Sequence, residues 1–335
     1  MALRDAPSVT RRSPHRLPKA HLHLHLEGSA RPETIAALAA QEGLTIPPPV
    51  FADLPQFIAC YQAVLPAIRR PESLARICRE VVEDDAAQGV LYTQPMISPT
   101  YYAERMGLPL DEIWAVMRAA FESAAAATGI EVGYLIGIDR ARPAEEAEQA
   151  AAFAAAHAGD GIAGFGFGGD ERVPPGKLAR ACAIAREAGL LIVPHAGESV
   201  GPESVRAALD LRPRRIAHGV RTVEDAGLLA RLAAEDIACD VCPTSNVRLG
   251  VVSDLAAHQL PILAEAGVPL TLNSDDQLFF GSKVGDEYAV ARDVFGLSDA
   301  ELAAIARTSA RVSGAPRRAV TRIEAGIDAW LAAAP

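Results

Sequence analysis

The residues best suited to chemistry come early, in the run His21-Leu22-His23-Leu24-His25-Leu26-Glu27-Gly28. Alternate residues of an extended strand share a face. His21, His23 and His25 are therefore expected on one side and the leucines on the other. A lone histidine is most often a hydrogen-bonded core residue. Three imidazoles in alternation, pointing into an interior, would be costly to bury without an ion to hold. Later runs add donors: Pro194-His195-Ala196-Gly197-Glu198, Ala217-His218-Gly219 and Leu272-Asn273-Ser274-Asp275-Asp276. Singly, a His-Gly or Asp-Asp pair is as often a turn or a helix cap. Together they offer three imidazole nitrogens and a carboxylate, a set that suits zinc with one position left open for water.

To act together, these residues must be carried to one place by the elements between them. Eight short β-like runs are readable, at residues 20–26, 89–97, 130–138, 162–168, 190–195, 215–220, 237–243 and 269–274. Each is followed by a stretch long enough for a helix, as at 202–209 or 223–234. Strands alternating with helices imply parallel βαβ units. Eight such units make a (β/α)8 TIM barrel, and the count favours it over a doubly wound open sheet. In a barrel, active sites are built on the C-terminal rim of the strands. Most of the histidines and the Asp275-Asp276 pair fall at such strand ends.

Residues 1–16 read as a flexible polar tail and residues 17–335 as one barrel domain. The connection 31–88 is long, with helical stretches broken by Pro47-Pro48-Pro49. Its apolar residues Phe51, Leu54, Phe57, Ile58, Tyr61, Val64 and Leu65 recur at helical spacing. A helical insertion after the first strand is expected, packed on the barrel and capping its mouth. No repeat of solenoid period is present.

One ion is expected rather than two. Binuclear barrel hydrolases often bridge their ions with a carbamylated lysine on a central strand. The three lysines here are Lys19, Lys177 and Lys283, none at the end of the fourth β-like run. Two other motifs are set aside. Cys239 and Cys242 form a C-x-x-C, but residues three apart on a strand face opposite sides, and no second pair exists. The glycines of 164–169 lack the lysine of a P-loop and the full G-x-G-x-x-G register. They serve close packing, or let a planar ligand approach a bare backbone N–H.

Composition removes other function classes. The chain has 335 residues, 50% hydrophobic and 22% charged, with net charge −10. That sign is wrong for coating nucleic acid or an anionic membrane, and a 5% aromatic share leaves little for stacking on bases. The five cysteines (60, 78, 182, 239 and 242) are too few and too odd in number for a disulfide scaffold, which points to a reducing cytoplasm. Residues 1–16 lack the apolar stretch of a secretory signal, and Asp5 counts against a transit peptide. No apolar run reaches the ~18 residues of a membrane span. The sequence sets no oligomeric state.

From about Pro18 to Pro316 the chain resembles the adenosine deaminase family, which includes adenine and related aminopurine deaminases. The matching stretches are the run from Pro18 to Ser29, Gly169-Asp170-Glu171, His195-Ala196-Gly197-Glu198, Arg215-Ile216-Ala217-His218-Gly219, Cys242-Pro243-Thr244-Ser245-Asn246 and Asn273-Ser274-Asp275-Asp276. The resemblance implies one Zn2+ per chain on His23, His25, His195 and Asp275. It implies Glu198 as the acid that protonates the purine ring, which requires burial to raise its pKa above the ~4.3 of free Glu. His218 would orient and deprotonate the zinc-bound water. Asp276 would bond that water or the purine, and Gly169 would give a backbone N–H to the ring. Similar zinc-plus-Glu logic serves the structurally unrelated cytidine deaminases.

The expected activity is zinc-dependent hydrolytic deamination of a small-molecule 6-aminopurine nucleoside such as adenosine. Free adenine and 6-amino-6-deoxyfutalosine are alternatives, and a non-catalytic binding barrel is the rival from another class. Departures from the family pattern concern the pocket wall. His21 stands where relatives commonly have Glu. Glu27 stands where adenosine-specific members have Asp, a residue linked to ribose recognition. Gln277 replaces a usual Pro, Gln94-Pro95 stands where relatives often carry Glu and Arg, and Phe280-Gly281-Ser282 is of nucleoside type.

Overall fold

The β-like runs form strands in the computed structural model, which describes residues 12–334. Ten strands lie among those residues: β1 Lys19–His21, β2 Val90–Thr93, β3 Met96–Ile97, β4 Glu131–Val132, β5 Tyr134–Asp139, β6 Ile162–Gly168, β7 Leu191–Ala196, β8 Arg215–His218, β9 Ala238–Val241 and β10 Leu270–Leu272. They occupy the eight runs read from the sequence, because two of those runs are interrupted. Gln94-Pro95 separates β2 from β3, and proline has no N–H to give a ladder. Gly133 separates β4 from β5, where a Cβ would lie 1.9 Å from the Tyr92 hydroxyl oxygen.

All the strand pairs are parallel. They run in the orders β1-β2-β4 and β10-β9-β8-β7-β6-β5-β3. The two sheets meet through single bridges, Leu24 with Asp275 and His25 with Met96. The curled sheet with its surrounding helices is a (β/α)8 barrel.

The first strand is shorter than its expected span of 20–26. Asn273 explains the difference: its Oδ1 accepts from the backbone N–H of Leu22 at 2.9 Å and of His23 at 3.0 Å. A side chain thus replaces a strand there, and the two-residue period is lost. His21 consequently does not share a surface with His23 and His25. Its Nδ1 meets Asp85 at 2.9 Å and its Nε2 meets the Ser274 hydroxyl at 3.0 Å.

Three α-helices, Pro32–Gln41, Leu54–Val64 and Pro71–Ala86, lie between β1 and β2. Each has proline in its first turn, where a missing N–H costs nothing. Asp53 caps the second by accepting from Gln56 N–H. That helix sets Phe57 against Phe280 and Phe279, with ring centroids 5.1 and 5.3 Å apart. The insertion is thereby packed onto the segment that follows Asp276. The third helix buries Leu74, Ile77, Val81 and Val82.

Of the segment read as a tail, residues 1–11 lie outside the described residues. Arg12 bonds Asp299 at 2.9 Å and the Leu331 carbonyl at 2.8 Å, and residues 14–16 form a 3-10 turn. No helix among the described residues is long and apolar enough to cross a membrane.

Candidate active site

The chemistry-bearing residues gather where the strands end. His23 and His25 follow β1, His195 lies on β7, His218 ends β8, and Asp275 follows β10. His23 Nε2 and His25 Nε2 stand 3.3 and 3.4 Å from Asp275 Oδ1. The His23 ring lies 4.8 Å from that of His195 and 4.6 Å from that of His218. Donor atoms of His23, His25 and Asp275 all lie within 4.8 Å of one another, as do those of His23, His195 and His218.

Two observations test whether this set fits a metal ion. His23 Nδ1 is buried without a hydrogen-bond partner, and Nε2 has only the 3.3 Å approach of Asp275 Oδ1, a costly state unless something binds there. His195 Nδ1 lies 2.9 Å from the Phe167 carbonyl. A carbonyl only accepts, so Nδ1 carries the proton and Nε2 keeps its lone pair for a ligand. The set fits a divalent ion.

Two of these positions are held in an unusual backbone conformation. His218 has φ 65° and Asp275 has φ 60°, in the left-handed region that non-glycine residues seldom enter. The surroundings hold Asp275 in place: its N–H donates to His23 O at 3.1 Å, and Ser245 Oγ donates to its Oδ2 at 2.7 Å.

The three carboxyls nearest the imidazoles behave differently. Burial drives the Glu198 pKa well up, and Asp275, Glu171 and Asp276 add to it. Burial and the neighbouring Asp275 likewise raise Asp276 well above the carboxylate range. Burial also pushes Asp275 up, but His23, His25 and His218 outweigh it and hold Asp275 well below that range. The site therefore sets one aspartate whose charge is favoured beside two carboxyls whose charge is disfavoured. Glu198 Oε1 lies 3.4 Å from His218 Nε2.

Several contacts around the site are not readable from the sequence, although Glu27, Gly28 and Glu171 belong to its motif runs. Buried Glu171 accepts from the backbone N–H of Glu198 at 3.1 Å and of Val200 at 2.8 Å, fixing the loop after β7. Buried Arg140 donates to the Gly168 carbonyl at 3.3 Å and to the His195 carbonyl, tying β6 to β7. Glu27 accepts from Tyr61 at 2.7 Å and from Tyr102. A Cβ on Gly28 would stand 1.7 Å from Asp276 Oδ1, so the glycine makes room for that carboxyl. Only their types gave a signal, since their partners are 27 or more residues away in the chain. Of the C-x-x-C pair, Cys239 packs in the apolar core, whereas the Cys242 donor atom comes within 4.8 Å of those of His218 and Asp275.

A cavity of about 710 Å³ opens onto His25, His195, Glu198, His218, Asp275 and Asp276. Glu27 and Gly169 also line it, as do Leu54, Phe57 and Tyr61 of the insertion. Gly169 has φ 88°, and a Cβ there would meet Asp139 Oδ1 at 2.4 Å. The volume is that of a pocket for an organic ligand.

The family model described as adenosine deaminase matches residues 18–330. A relative from Streptomyces virginiae, named provisionally as an adenosine/adenine deaminase, is 41% identical over 329 residues. That alignment covers 94% of this chain and 97% of the relative. The crystal structure of adenine deaminase from Arthrobacter aurescens superimposes with a TM-score of 0.86 at 32% identity, covering 94% of this chain and 99% of that one. An amidohydrolase from Burkholderia ambifaria, solved with bound Zn, gives a TM-score of 0.84 at 26% identity, covering 98% and 96%. With the fold, the clustered donors and these likenesses in agreement, the chain belongs to the adenosine deaminase family of hydrolytic enzymes acting on C–N bonds in amidines.

Proposed function

We propose that this protein is a zinc-dependent deaminase of small 6-aminopurines, with free adenine as its substrate. The observation that carries this reading is the convergence of His23, His25, His195 and Asp275 beside a buried, proton-holding Glu198. Those four residues hold one zinc ion per chain in this reading. When bound, zinc supplies the Lewis acidity that lowers the pKa of a water from 15.7 to about 7.

Glu198 then acts as the acid. Its proton goes to the ring nitrogen beside C6, which draws electron density from the carbon under attack. His218 orients the attacking water, and Asp276 bonds that water or the purine edge. Gly169 offers its N–H to the ring, and Glu27, braced by two tyrosines, forms the polar wall. Water oxygen adds to C6 and gives up both protons, one to the departing amine and one back to Glu198; the C6–N bond breaks, and ammonia leaves a 6-oxopurine. The helices between residues 31 and 88 cap the mouth. Five free cysteines fit a reducing, cytoplasmic setting.

Adenine is favoured because the Arthrobacter neighbour is an adenine deaminase. Adenosine is the second reading, supported by a cavity of about 710 Å³ that has room beyond the base. Steady-state ammonia release from adenine, adenosine and 6-amino-6-deoxyfutalosine, with zinc-loaded protein, tests the proposal. We expect the highest kcat/KM on adenine. A higher value on either larger substrate moves the assignment to it, and no ammonia from any of the three overturns the deaminase reading.

A further inference from the structure

Asn246 stands beside His218 and has no part in the reaction above. Its contacts form a chain whose direction is set at one end by the backbone. Leu260 N–H, which can only donate, reaches His258 Nδ1 at 3.0 Å. That nitrogen therefore carries a lone pair, and the proton of a neutral His258 ring sits on Nε2. Nε2 lies 3.1 Å from Asn246 Oδ1 and donates to it. The amide orientation follows: its NH2 points the other way and donates to His218 Nδ1 at 3.3 Å. Turning the amide round would set NH2 against a ring N–H and leave buried donors unmatched. With Nδ1 accepting, the His218 ring proton sits on Nε2, which faces Glu198 Oε1 at 3.4 Å and Asp275 Oδ2 at 3.9 Å.

Asn246 and His258 are buried away from the cavity, and His218 is buried with its ring at the cavity edge. Burial lowers the His258 pKa to about 4, which keeps its ring neutral at physiological pH.

We propose that His258 and Asn246 are positioning residues, a one-way hydrogen-bond chain that fixes His218 as its Nε2–H tautomer. His218 then meets the attacking oxygen as a donor. This replaces the expectation that its Nε2 removes the water's proton, because that nitrogen already carries one. The catalytic consequence rests on the deaminase reading, whereas the bond direction does not.

Nitrogen-15 NMR of histidine-labelled, full-length protein, zinc-free and zinc-loaded, tests the chain without any substrate. We expect a proton-bearing Nε2 and a bare Nδ1 on His218. A bare Nε2, or a doubly protonated ring, overturns the proposal. Asn246→Asp places an acceptor at both ends of the link. It should move the His218 proton to Nδ1 and lower kcat by roughly tenfold or more with KM little changed. An unmoved proton in that variant overturns the proposal. A second pair serves if that variant does not fold. His258→Gln can still accept from Leu260 and donate to Asn246, so it should keep the wild-type tautomer and most of kcat. His258→Phe should lose both, and equal behaviour of the pair overturns the proposal. An enzyme inert on purines yet showing the expected tautomer would sink the substrate reading alone.

Discussion

Glu198 sits where a carboxyl keeps its proton, because burial and three acidic neighbours all oppose its charge. Glu198→Gln preserves the shape but removes the transferable proton. Metal content should stay at wild-type level while turnover falls by ~10² or more, read by elemental analysis beside steady-state rates. The sign of the pH dependence follows. The working form of Glu198 is protonated, so kcat/KM should fall as pH rises through its raised pKa, and the Gln variant should lack that fall. His23 gives a separate test. Its buried ring sits at the centre of the imidazole group, so His23→Ala should leave the purified protein without its ion. Retention of one zinc by that variant would remove His23 from the ligand set.

Among the elements, the short turn Glu27–Ser29 is the sharpest constraint. Gly28→Ala would drive a methyl group into Asp276 Oδ1. Turnover should drop by ~10-fold or more with zinc retained, since no ligand is touched; unimpaired turnover would mean that Asp276 moves without consequence. The eight β-like runs were legible because apolar segments alternate with helical ones, and the rim motifs because each ends such a run. Strand limits were less legible. Residues 22–26 keep an alternating pattern, yet a side chain from Asn273 takes the N–H groups of Leu22 and His23. Nothing local encodes that contact. The same holds for Tyr61, Tyr102 and Glu171, whose partners are distant in sequence, so only the folded chain reveals what they do.

At the scale of the whole molecule, one buried acid should leave its mark on stability. Glu287 accepts from Thr244 N–H at 3.2 Å and from the Ser282 hydroxyl, yet burial raises its pKa to about 7 from 4.5. Between those values the unfolded chain has lost its proton and the folded one has not. Folded stability from this group therefore falls as pH rises through that window. Glu287→Gln cannot ionise, so its urea midpoint should gain on wild type between pH 4.5 and 7 and hold that gain above it. A difference independent of pH would exclude this titration.

The final helix, Arg317–Ala332, brings its closing residues to the start of the described chain. Trp330 Nε1 donates to Ser13 O, and Arg12 bonds the Leu331 carbonyl. These residues precede β1, on the side where strands begin, while the cavity opens where strands finish. A protein anchored to a resin or electrode through residue 332, at the exposed end of that helix, would thus stand with its mouth toward the bulk liquid, free to turn over soluble reactants.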